Sequence, residues 1–183
     1  MFAVVGWVRV SLSLVFLVAS APSSFADPLA GSRARLAIPD SVQFCPEILT
    51  RVEQMLAQSA TFRGQFRRVV ERPRLVLTAT IDPALVNRSF RARSTIRRYD
   101  SGLMVVTMVI APGAHLDEFI AHEFEHVLEQ LEGLNLREMA ERREAGAWFS
   151  GPDTVETNRA MRAGRAVSDE MRGHGSRSDN LVQ

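Results

Sequence analysis

Between Gly102 and Ala111 the chain runs Leu103-Met104-Val105-Val106-Thr107-Met108-Val109-Ile110, apolar at every position except Thr107. No other segment constrains the fold as strongly. It is too short for a fully buried helix and is bounded by turn signals, Asp100-Ser101-Gly102 before it and Ala111-Pro112-Gly113 after it. Such a run reads as a well-covered β-strand. A strand of that kind needs paired neighbours and a layer packed on its face. Two further candidates precede it. Leu75–Ile81 is rich in β-forming residues and ends at Asp82-Pro83. Residues 88–98 alternate, with Phe90, Ala92, Ser94 and Ile96 on one side and Arg91, Arg93, Thr95 and Arg97 on the other. The turn signal at 99–102 predicts a hairpin between the last two strands.

The rest reads as helix. Pro46 opens one with Ile48, Leu49, Val52, Met55 and Leu56 at helical spacing, and the pattern resumes through Phe66 and Val70 until Pro73. Residues 116–132 form another, stopped by Gly133. Asn135 followed by Glu138 reads as a capping box for a helix to about Trp148. Ser150-Gly151-Pro152-Asp153 breaks the chain, and residues 154–171 form a last helix. The expected class is α+β: an N-terminal helix, a sheet of about three antiparallel strands, then helices, all within 41–172. A flexible lead-in is expected at 27–40 and a disordered Gly/Ser/Arg/Asn-rich tail at 173–183.

Residues 1–26 resemble a cleaved secretory signal: Arg9, a short apolar stretch from Val10 to Ala19, then Ser24-Phe25-Ala26. The stretch is short for a membrane span. Export to the periplasm or beyond is expected, with no stable membrane span after cleavage. Removing the segment takes away one Arg and no acid, which leaves 21 Arg facing 21 acids. A neutral chain offers no global attraction for nucleic acid or membrane. The arginines at 88, 91, 93, 97 and 98 have few aromatics among them and read as a solvated sheet face that an acidic helix could pair. The single Cys45 has no internal disulfide partner and reads as a small hydrophobe beside Pro46.

The chemistry lies in His122-Glu123-Phe124-Glu125-His126. On a helix, positions i and i+4 point the same way, so two imidazoles can hold one zinc ion while the Glu stands beside the metal and can act as a general base. Helical projection at about 100° per residue puts Leu116, Phe119, Ile120, Phe124, Val127, Leu128 and Leu131 on an apolar arc. Glu118, Glu125, Glu129 and Glu132 fall on the solvent arc. The two histidines sit on the seam, and Glu123 points to the core side.

Catalytic zinc takes three protein ligands and an open position. Two acids compete for the third place. Glu156 leads a helix whose small-residue face (Ala160, Ala163, Val167, Met171) can approach another helix closely, although Asp153 and Glu156 also read as a capping box. Glu129 lies one turn beyond His126 on the same face. Candidate transition-state donors are Tyr99, the single Tyr, and His115, with Arg159 and Arg162 behind them.

The segment Ile120–Leu128, followed by a Glu-x-x-x-Ala helix at Glu156–Ala160, resembles the gluzincin branch of the zincin metallopeptidases. The resemblance implies a sheet whose edge strand runs beside the active-site helix and binds extended peptide substrate. It also implies His122, His126 and Glu156 as ligands of one zinc per chain and Glu123 as general base. A non-catalytic zinc-binding or interaction protein with the same fold is the alternative.

Overall fold

The computed structural model describes residues 37–88, 90–144 and 146–179. The expected signal segment and most of the lead-in lie outside these residues. The fold is α+β.

The predicted hairpin forms. β3 (Ala92–Arg98) and β4 (Met104–Ile110) pair antiparallel, from Ala92 opposite Ile110 to Arg98 opposite Met104. The sheet as a whole corrects the expectation of three antiparallel strands. β2 (Leu75–Ile81) pairs parallel with β4 along its whole length, and a short β1 (Val42–Phe44) pairs parallel with β2. The sheet is four-stranded and mixed, in the order β1-β2-β4-β3. The connection explains the order. After β2 the chain passes through a 3₁₀ turn at Pro83–Asn87 and returns as the edge strand β3. The hairpin then delivers β4, the most apolar strand, into the central position beside β2.

One face of the sheet is covered. Met104, Val106, Met108 and Ile110 of β4 are buried there under helices. The other face carries Val76, Thr80, Thr107, Arg93 and Arg97, and these are exposed. The long N-terminal helix of the sequence reading is two helices, α1 (Pro46–Gln58) and α2 (Ala60–Val70). Ser59 divides them. Its backbone is extended, and its hydroxyl accepts the Phe62 amide at 2.9 Å, capping α2. Cys45 is partly buried against the core at the start of α1.

α3 (Leu116–Leu131) is the central helix. Its Phe124 meets Phe62 edge-on at 5.2 Å and Phe66 at 6.0 Å. On another flank lies α5 (Asn158–Asp179). Their crossing depends on Gly164, where a Cβ would stand 2.8 Å from the Glu118 carbonyl oxygen and 3.3 Å from His122 Cβ. The small-residue face packs as expected, with Ala160 and Val167 fully buried. The α5 backbone is helical to Asp179, past Gly173 where the tail was expected.

The solvent arc of α3 needs correction. Glu125 and Glu129 are buried, because α2 and α5 lie over that arc and bring polar partners. Gln65 of α2 donates to Glu125 at 2.7 Å, and Arg159 of α5 donates to its other oxygen at 2.5 Å. Arg68 and Arg159 both bind Glu132. Glu125 and Glu132 are therefore engaged by α2 and α5. Arg88, Arg91, Arg97 and Arg98 form no ion pair among the described residues, so the expected pairing with the acidic helix does not occur.

Two further corrections concern the segment before α5. α4 (Leu136–Glu141) starts at its predicted cap, with the Asn135 side chain accepting the Glu138 amide at 3.2 Å, but it lasts only 6 residues. The chain then forms a hairpin, β5 (Ala147–Phe149) with β6 (Val155–Thr157), in place of more helix. Just before β5, Gly146 bends the chain at φ 72°, and a Cβ there would collide with Asn158 Nδ2 at 2.3 Å. Glu156 thus lies on β6, not on a helix, and Asp153 caps nothing. No helix among the described residues is long and apolar enough to cross a membrane.

Candidate metal centre

Three side chains converge where α3 faces β6. Glu156 Oε2 stands 2.9 Å from His122 Nε2 and 3.6 Å from His126 Nε2. The two Nε2 atoms are 3.2 Å apart. Donors about 2.0–2.1 Å from a tetrahedral zinc stand roughly 3.3 Å from one another. The three separations bracket that value, so two imidazoles and one carboxylate fit a zinc ion in both chemistry and spacing. His122 and Glu156 are partly exposed and His126 is buried, so the group opens on one side.

Glu129 has a different place. It is buried, at 2% exposure, and its Oε2 accepts from His126 Nδ1 at 2.9 Å. That bond puts the His126 proton on Nδ1 and leaves Nε2 to face the group. Its other oxygen accepts from the Thr157 hydroxyl at 2.7 Å. Thr157 Oγ1 in turn accepts the Ala160 amide at 3.0 Å, capping α5. Thr157 therefore ties β6 to α3, and the pleat turns its neighbour Glu156 to the opposite side, toward the histidines. Sequence reasoning ranked Glu129 as a rival ligand and missed Thr157. A pleated strand at 155–157 would have been the signal for it.

Glu123 lies on the core side, as predicted, and is 3% exposed. The Ser94 hydroxyl of β3 donates to its Oε2 at 2.5 Å. Burial raises its pKa, against the lowering pull of His126, His122 and Ser94. In the metal-free protein burial alone would lower His126. Hydrogen bonds to Glu129 and Glu156 outweigh it and hold the ring up at about 10. Burial would raise Glu156, but its bonds to His122 and His126 hold it down at about 2.

A cleft passes over the group in two lobes. One, of 460 Å³, lies between Ala92–Ile96 of β3 and residues 153–156 and reaches His126. The other, of 500 Å³, lies on the His122 side and is lined by Phe90, Phe119, Trp148, Pro152 and Met161. Both include Glu123, Thr154 and Glu156. The expected donors lie elsewhere. Tyr99 is exposed in the β3–β4 turn, and His115 is exposed at the start of α3, 3.7 Å from Glu118. Arg159 is engaged by Glu125 and Glu132, and Arg162 is exposed. The donors that line the cleft include Ser94, Thr154 and Arg137.

Comparison with protein-family models, with curated proteins and with solved structures gives no match for this chain.

Proposed function

We propose that the chain is a zinc-dependent metallopeptidase that hydrolyses peptide bonds in an extended polypeptide. The observation that carries the reading is the convergence of His122, His126 and Glu156 beside a buried carboxylate, Glu123, in an open cleft. Zinc held by such a group supplies Lewis-acid chemistry, acidifying water and polarising a carbonyl. The protein supplies the rest. Glu129 orients His126, and Thr157 holds the strand that brings Glu156. Ser94 fixes the Glu123 carboxylate at the group's edge, where it takes the proton of the attacking water and passes it to the leaving amine. The edge strand β3 gives a bound segment main-chain partners.

A zinc-binding protein without catalysis is the second reading. The Ser94 bond favours it to the extent that it gives Glu123 a structural partner. Glu123→Gln separates the two. A peptidase loses chelator-sensitive cleavage while retaining zinc. A binding protein shows no cleavage to lose.

A further inference from the structure

The edge strand β3 borders the cleft with a specific pattern of charge. Its single strand partner among the described residues is β4. The opposite edge faces the cleft, with residues 153–156 across the gap. Alternate backbone groups on that edge have no ladder partner, which is the condition for adding a strand. Side-chain direction is fixed by Ser94, which faces inward and binds Glu123. Arg93, Thr95 and Arg97 therefore face outward, and all three are exposed.

The two outward arginines have no acid opposite them on the sheet. On the same sheet face they stand opposite Val109 and Val105 of β4. Beyond β4, strand β2 offers Val76, Thr78 and Thr80. Neither Arg93 nor Arg97 forms an ion pair among the described residues, and Arg93 lies over the Phe90 ring at 5.9 Å. Charge on an edge also deters self-association. That role alone does not account for the placement, because the other edge strand, β1, carries Val42-Gln43-Phe44 and no charge.

We propose that β3 docks an extended polypeptide segment with acidic side chains four residues apart, one against Arg93 and one against Arg97. The inference deepens the peptidase reading by naming its substrate class, and it rests on that reading for the chemistry. An added strand keeps the pleat, so residues directly opposite each other carry Cβ atoms about 4.5–5.5 Å apart. The acids meet the two guanidinium groups on the outer face. The residue opposite Ser94 lies between them and points to Glu123 and the histidines. A cleaved bond then falls between the two acids.

The test uses the zinc-loaded chain and short fluorescent peptides that differ only at two positions four apart: Glu/Glu, Gln/Gln or Arg/Arg. A further peptide has its two Glu three apart, which puts them on opposite faces. Fluorescence anisotropy should find Glu/Glu bound roughly 5- to 10-fold more tightly than Arg/Arg, as expected of two exposed cross-strand pairs. The margin should shrink at high salt. The Glu peptide with spacing of three should bind like Gln/Gln. In the Arg93→Glu/Arg97→Glu variant the preference should reverse. Equal binding of Glu/Glu and Arg/Arg, a preference indifferent to spacing, or one that survives the double substitution would overturn the proposal. Mass spectrometry of the same mixtures reads cleavage separately. Binding preference without chelator-sensitive cleavage would retire the peptidase reading and leave the docking edge standing. Cleavage without preference would do the reverse.

Discussion

Glu156→Gln and Glu129→Gln are equally small changes on opposite sides of one imidazole, and they should have unequal effects on zinc. Glu156 offers Oε2 to the same space as the two Nε2 atoms, 2.9 and 3.6 Å away. A four-donor zinc site binds with about 10–16 kcal/mol, so one donor accounts for about 3 kcal/mol. Exchanging that carboxylate for a neutral amide should weaken zinc about 10²- to 10³-fold. Glu129 touches only the far nitrogen of His126, at 2.9 Å. Partners of that kind typically alter metal affinity 10- to 100-fold, and a near-isosteric amide that still accepts the Nδ1 proton belongs at the low end, about 10-fold. Its larger effect is on the fold. The buried amide must either set a donor against His126 Nδ1–H or leave the Thr157 hydroxyl proton without its acceptor, a mismatch of about 1–3 kcal/mol. Competition against a chromogenic zinc chelator measures the affinities, and urea unfolding of the zinc-loaded protein measures the stability. If Glu129→Gln weakens zinc as much as Glu156→Gln, the division between ligand and support is wrong.

Glu123→Gln should retain zinc and lose chelator-sensitive peptidase activity by about 10²-fold, the usual scale for a general base, as read on a broad peptide library. In metal-free protein His126 is held up at about 10 against an ordinary 6.5, so its contribution to stability is full below about 6.5 and disappears as pH rises through 10. Glu156, held down at about 2 against 4.5, contributes above about 4.5 and loses that contribution as pH falls through 2. Chelated protein should therefore melt at its highest temperature between those limits as far as this pair is concerned, and a pH series of melts checks it. Zinc requires a neutral ring, so loading at neutral pH should release close to one proton from His126, which calorimetry in buffers of different ionisation heat will count. Ser59→Ala removes the cap of α2 at a fully buried position and should cost about 1 kcal/mol in urea unfolding with zinc affinity unchanged.

The features legible in the sequence are those set by short-range periodicity. The β3–β4 hairpin, the limits of α3, the inward side of Glu123 and the shared direction of His122 and His126 all follow from periods of 2 and about 3.6, which neighbours along the chain impose. The capping residue Asn135 was legible because its partner, the Glu138 amide, lies three residues along the chain. Tertiary structure decided what depends on distant partners. The parallel pairing of β2 with β4 needs a register between segments that share no local signal. The solvent arc of α3 became interior because α2 and α5 cover it, and a helix cannot encode locally which of its polar faces will be covered. Glu156 meets the histidines because Gly146, at φ 72°, turns the chain into a hairpin of three-residue strands, too short for any periodicity to announce. Glu129 and Glu156 are both acids within reach of His126, and only the direction each approaches from separates the proposed metal donor from the carboxylate that orients the ring.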